Sequence, residues 1–217
     1  FKGVKRTMQS KIKLIIIGAG SLGRLTLDTV LKEGSYQKDS IAFIDDGKEI
    51  GDKIYGVPVI GTISDINKID INHNDFIIAI ANNKIRSNIA ETYDLNYITT
   101  IHPDATISEF AIIGKGNIIL PNCSVDPGVS IENHVIVNKN SSIGHDSILD
   151  DYSQVSPGCC LGGYVHLKQG VFLGLGTNIL PEKEIGENTI IGAGSTVTKD
   201  IPSNCTAVGT PCNPIGR

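Results

Sequence analysis

The chain has 217 residues, 40% of them hydrophobic and 19% charged, with a net charge of −4. That balance describes a globular protein of two modest domains or one large one, and it offers no basic field for binding nucleic acid. Aromatics stand at 5% with no Trp, Gly at 24, and no apolar run approaches the ~18 residues of a membrane span, so short β elements with tight turns are expected, without membrane insertion.

Residues 1–7, "FKGVKRT", precede the single methionine, Met8, and are read as an expression-derived leader outside the fold. Beyond them "KIKLIIIG" (11–18) is a buried-strand run, "LGRLTLDTVLKEG" (22–34) an amphipathic helix and "IAFIDD" (41–46) a second strand. "GVPVIGT" (56–62) and "DFIIAIA" (75–81) are further strands, and "NKIRSNIAETY" (83–93) is a second helix. Strands alternating with helices predict a small Rossmann-like parallel α/β domain over residues 8–98. The period changes near Ile98–Pro103, and a second domain is expected over 99–217.

Within the first domain "GAGSLG" supplies Gly18, Gly20, Ser21 and Gly23 directly after a strand, at the opening of a helix. Glycines there permit a tight turn and the close approach of a phosphate to the helix N-terminus. Asp45, with Asp46 beside it, ends the next strand, where a carboxylate can accept a ribose hydroxyl. About 90 residues hold one mononucleotide-binding half, not the two of a dinucleotide fold, so a nucleotide sugar suits the domain better than NAD. Asn82, Asn83 and Arg86 follow the last strand, at the edge where open α/β sheets bind ligands. The plainer alternative is a capping asparagine and a solvated arginine.

The second domain announces itself by a repeat. Every sixth residue from Ile101 to Val197, 17 positions in all, is Ile, Val or Leu. Two positions before each aliphatic, small residues such as Ala105, Cys123, Ser141, Ser147, Ser153 and Ser195 recur, and Gly commonly follows it. A hexapeptide with one aliphatic and one small inward residue, then a turn, is the pattern of a parallel β-helix. Three hexads close a triangular coil of 18 residues, so the repeat builds just under six coils, roughly 27 Å tall at about 4.8 Å per strand.

This register places the reactive side chains. His145 lies two residues past Ile143, at a corner, where side chains point outward. His134 is also at a corner and His166 on a flat outer face, while His73 and His102 fall outside the regular coils or at their start. The three in the prism lie on different lines, so they cannot converge as a metal site within one chain, and no metal is expected. Eighteen residues beyond His145 is Gly163, one coil above, whose uncrowded N–H beside a base is the pairing that acyl transfer needs. Cys123 and Cys159 share an inward line and are read as packing, with Cys160 pointing out. An odd count of five cysteines, without C-x-x-C spacing, points to reduced thiols in a cytoplasmic protein.

A small Rossmann-like domain opening with "GAGSLG", joined through "IHPDATIS" to a prism carrying "NKNSSIGHDSILDDYSQVSPG" and closed by "VGTPCNP", resembles the bacterial sugar acetyltransferases of the PglD and NeuD type. The resemblance implies a left-handed β-helix and a homotrimer, with acetyl-CoA lying between neighbouring subunits. It also implies a nucleotide-linked amino sugar held on the N-terminal domain. By position it assigns His145 as general base, Asp146 as its carboxylate partner and Gly163 as the oxyanion donor. Gln154, Leu175 and Ala193 match positions along the acetyl-CoA path, and Asn138 one beside the sugar. The chain departs from the family at Leu22, where a histidine is frequent, and at Cys212 and Asn213, where a basic residue usually meets the coenzyme phosphates. That departure implies either a lower coenzyme affinity or a contact shifted to Lys168 or Arg217. Asp146 stands where N-acetylating members often have glutamate and O-acetylating members aspartate.

The sequence is therefore read as an acetyl-CoA-dependent N-acetyltransferase of a nucleotide-linked amino sugar in bacterial surface-glycan synthesis. The competing readings are a sugar O-acetyltransferase, a non-catalytic nucleotide-sugar-binding trimer and, least favoured, a nicotinamide oxidoreductase. One physical reservation attaches to the dyad. Adjacent residues on an extended strand face opposite ways, so Asp146 can serve His145 only where the corner turns both side chains together, or across subunits.

Overall fold

The structure, a computed structural model, describes residues 12–215; the leader assigned to 1–7, and Arg217, lie outside them. The first sheet runs β3-β4-β2-β1-β5, from β1 (Leu14–Ile17), β2 (Ile41–Ile44), β3 (Lys53–Ile54), β4 (Val57–Gly61) and β5 (Asp75–Ile78). β1 is flanked in parallel by β2 and β5 and all four of its residues are buried, as an unbroken aliphatic run requires when both faces of a parallel sheet are covered. Helix α1 (Ser21–Glu33) ends at Gly34, whose left-handed φ of +83° lets its N–H return to the Val30 carbonyl. Helix α2 (Asn83–Thr92) begins at Asn82, whose side chain accepts the Ile85 N–H. The antiparallel β3 and a short 3₁₀ helix over Ile63–Lys68 were not legible from periodicity, being too short to display one.

From Thr100 the chain winds as a left-handed β-helix in steps of 18 residues, Ser124 pairing with Ser142 and Ser142 with Cys160. Two-residue strands stack into three parallel faces, of six, five and eight strands; the last includes a short antiparallel closing strand, Asn213–Ile215. The hexad aliphatics from Ile119 to Val197 fill the interior and are buried, each contributing about 1.5–3 kcal/mol of transfer free energy. At the open lower end Ile101, Ile107 and Ile113 are only half-buried, for want of a coil beneath them.

The α1 side of the first sheet packs on the eight-stranded face, where Ile118, Leu120 and Ile136 join Leu14, Leu27 and Val30 in one core. α2 covers the opposite side of the sheet, with Ile89 against Phe76 and Ile78. Among the described residues no helix is long and apolar enough to cross a membrane.

Candidate functional site

The corner between the six- and five-stranded faces carries Gly144, His145, Asp146 and Ser147. Asp146 takes a left-handed φ of +58°, and that turn brings the two side chains to the same side. His145 Nδ1 lies 2.8 Å from Asp146 Oδ2 within one chain, which answers the reservation about adjacent residues. With Nδ1–H donating to the carboxylate, Nε2 is left as the acceptor and has no partner among the described residues. Both side chains are about half exposed, so the dyad faces open surface.

The coil above completes this corner. A Cβ built on Gly163 would lie 2.6 Å from His145 Nε2, so only a glycine allows the imidazole to rest there. A Cβ on Gly144 would lie 2.7 Å from the Gly163 nitrogen, so that glycine keeps the amide clear as well. The Gly163 N–H donates to no acceptor among the described residues. Tyr164 packs its ring edge-on to His145, centroids 5.2 Å apart, and its N–H donates to the His145 carbonyl. Tyr164 was missed in the sequence, although the 18-residue step that led from 145 to 163 also leads from 146 to 164.

The three glycines of the loop differ in the space around them. A Cβ on Gly18, at φ +104°, would meet the Ala79 carbonyl oxygen at 2.8 Å, and one on Gly23 would collide with the Gly18 carbonyl oxygen. Gly20 has nothing within 4 Å of its Cβ position, so the chain leaves it open to an approaching group. α1 starts there with no capping side chain and no acid in its first turn, and Ser21 is exposed. The Asp45 carboxylate accepts from Ala19 N–H at 2.6 Å and Gly47 N–H at 2.8 Å, holding the loop closed. Asp46 accepts the Ile63 N–H at 2.8 Å. Leu22 is buried in the core shared with the prism.

Arg86 corrects both sequence readings, ligand contact and solvated cap. It is fully buried, and all five of its N–H groups are taken: by the carbonyls of His134, Tyr152, Ile80 and Ala81, and by Asn83 Oδ1. Burial lowers its pKa to about 10, so it remains charged at neutral pH. Asn83 in turn donates to the Gly170 and Val171 carbonyls, so α2 is bolted to three successive corners of the prism. His134 is likewise no bystander. It is 3% exposed between Tyr97 and Tyr152, and burial pushes its pKa down to about 4. His102 is buried too, its Nδ1 accepting the Asp104 N–H.

A cleft of about 770 Å³ opens where α2 meets the prism, lined by Asn82, Asn83, Lys84, Tyr152, Phe172 and Asn188. It does not reach the dyad, which lies on the corner opposite the eight-stranded face. Leu175 and Ala193, one coil apart, are both exposed at the corner that follows that face. Gln154 is not with them: it is buried on the face itself, and its side-chain oxygen has no partner among the described residues. Asn138 is half-buried at the end of that face and caps the Lys139 N–H. Lys168 pairs with Glu184 at 3.2 Å, and Cys212 is buried.

Residues 13–93 match the PglD N-terminal domain family, and residues 89–197 match the GMPPB C-terminal domain family. The chain is 32% identical over 214 residues to GDP-perosamine N-acetyltransferase of Escherichia coli O157:H7, spanning 93% of this chain and 96% of that protein. Among solved structures it is similar to the acetyltransferase domain of PglB from Neisseria gonorrhoeae FA1090, known also with acetyl coenzyme A: TM-score 0.89, 33% identity, 94% of this chain and 99% of that one. PerB from Caulobacter crescentus, in complex with CoA and GDP-perosamine, matches with a TM-score of 0.87, 25% identity, and 94% and 97% coverage.

Proposed function

The chain belongs to the PglD/NeuD-type hexapeptide-repeat acetyltransferases, and from that premise we propose that it acetylates the amine of a nucleotide-linked amino sugar of the GDP-perosamine kind, at the His145 corner, in bacterial surface-glycan synthesis. The observation that carries the proposal is the 2.8 Å contact of His145 Nδ1 with Asp146, beside a Gly163 N–H that is free and kept uncrowded. Nε2 takes the proton from the attacking amine as the new C–N bond forms. The Gly163 N–H donates to the oxygen that gathers charge, and the imidazolium returns its proton to the departing thiolate of CoA. Asp146 keeps the acceptor nitrogen facing the substrate. Holding amine and thioester together removes much of the entropic barrier, and no covalent acyl-enzyme is required.

The glycine loop at Gly18–Gly23, with Asp45 and Asp46, is assigned to the nucleotide sugar, and Asn138 to its sugar end. Leu175 and Ala193 are assigned to the path of acetyl-CoA. Asn82 and Asn83 are assigned instead to capping and anchoring α2, and Arg86 is withdrawn from the substrate site. A homotrimer belongs to the proposal, because the loop and the dyad lie on different sides of one prism and meet only between copies. Five free thiols suit a reducing, cytoplasmic setting.

The test is release of CoA from acetyl-CoA against GDP- and UDP-linked 4-amino-4,6-dideoxy sugars, wild type beside His145→Ala. Turnover with one amino sugar, reduced about 10²–10⁴-fold in the variant, is the expected result. Turnover with hydroxyl acceptors alone would move the assignment to O-acetylation, and full activity in His145→Ala would remove the base.

A further inference from the structure

Gly128 lies one coil below Asp146, at the same corner, and the two corner backbones are joined by the Asp146 N–H donating to the Pro127 carbonyl at 3.1 Å. It holds a left-handed φ of +76°. That conformation does not by itself demand glycine in this prism. Asn122, Asn140, Tyr152, Tyr164 and Glu182 occupy equivalent corners with φ between 58° and 62°. What distinguishes Gly128 is the space above it. A Cβ there would fall well inside contact distance of Asp146 Oδ1, and 3.1 Å from its Cγ. The other oxygen of the same carboxylate is the one 2.8 Å from His145 Nδ1.

We propose that Gly128 is a positioning residue of the dyad: its missing side chain lets the Asp146 carboxylate lie at the height where it meets His145 Nδ1. An aspartate side chain is too short to yield at its tip alone. To regain ordinary contact with a new methyl it must rotate about χ1, and that rotation carries Oδ2 away from the imidazole. The corner then has two glycine seats, Gly128 below the carboxylate and Gly163 above the ring, each cleared for one member of the pair. This assignment rests on the proposed role of His145 and Asp146.

The test compares Gly128→Ala, Asp146→Ala, the double variant, His145→Ala and Gly34→Ala, assayed with acetyl-CoA and GDP-perosamine. Gly34 is the control for the backbone cost, since its φ is +83° and nothing lies within 4 Å of its Cβ position. Gly128→Ala is expected to lower kcat about tenfold or more while both KM values stay within about twofold. Gly34→Ala should match wild type in both, with a similar loss of Tm. In the Asp146→Ala background Gly128→Ala should cost nothing more, because the atom it displaces is gone. The assignment is overturned if Gly128→Ala behaves like Gly34→Ala, or if its full loss persists on top of Asp146→Ala. Full turnover in His145→Ala would overturn the underlying reading as well, and that single variant tells the two failures apart.

Discussion

Arg86 and His134 are joined at one corner of the prism, the arginine Nε donating to the histidine carbonyl at 2.8 Å, and both side chains are buried with no acidic hydrogen-bond partner among the described residues. The guanidinium is held by four carbonyls and an amide oxygen, an arrangement that only its planar fork can satisfy. Arg86→Met is therefore expected to cost about 3 kcal/mol or more, since it leaves several buried acceptors without donors. Arg86→Lys should recover only part of that, and thermal unfolding of the three proteins checks the order. His134 adds a pH dependence. Desolvation, with a smaller push from Arg86 and Lys115 against the pull of Asp151, takes its pKa from 6.5 to about 4. Between those values the unfolded chain binds a proton that the folded one does not, so stability rises with pH across that window. Acidifying from pH 7 to 4 should remove up to about 3 kcal/mol through this group, and His134→Asn, compatible with the left-handed corner, should flatten that part of the profile. Equal slopes in the two proteins would show that other groups carry the acid sensitivity.

At the scale of elements, a glycine loop and a repeat were the parts most legible in the sequence, and each was legible because its geometry forbids alternatives. Gly18 and Gly23 cannot carry a Cβ without striking backbone or core, whereas Gly20 can. Gly23→Ala is expected to push α1 off β1 and unfold the first sheet. Gly20→Val fills space that the chain leaves empty, so it should leave Tm unchanged and raise the KM for the nucleotide sugar about tenfold, where a phosphate passes close to the backbone. A matched rise in the KM for acetyl-CoA would count against the loop as the sugar's site. The hexad line from Ile119 to Val197 was readable for the same kind of reason, because every coil must bury one aliphatic per face. What periodicity could not show was which outward residues another element covers. Arg86 looked like a solvated helix residue, and His134 like an exposed corner, because a helix and a corner each look exposed until they meet. Gln154 was placed on the acetyl-CoA path by the family resemblance alone, and within one chain it is buried. The dyad fell between these cases: its stacking on Gly163 followed from the 18-residue step, but the left-handed turn at Asp146 that unites the pair has no signature in residue type.

For the whole molecule the decisive fact is where the corners lie. In a triangular prism the corner between two faces is opposite the third, so the His145 corner lies across the prism from the eight-stranded face on which the first sheet packs. A sugar held at Gly20 is on the wrong side of the β-helix to meet the imidazole of its own chain. In the proposed trimer the loop of one copy faces the dyad of the next, a head-to-tail contact that closes into a ring. Two damaged chains should then repair each other. His145→Ala keeps an intact loop without a base, and Gly20→Val keeps the base behind an obstructed loop. At a sugar concentration well below the wild-type KM, the His145→Ala homotrimer should be nearly silent and the Gly20→Val homotrimer should run at about a tenth of the wild-type rate. Co-expressed in equal amounts and purified through two tags, they should recover about a third of wild-type activity, since every mixed ring of three has one junction at which an intact loop faces an intact dyad. Sites completed within one chain would give no recovery, because no single chain in the mixture carries both parts whole. The fraction recovered therefore reads the assembly directly, and no recovery in the mixed protein would place loop and dyad within reach of one another in a way that the prism geometry does not allow.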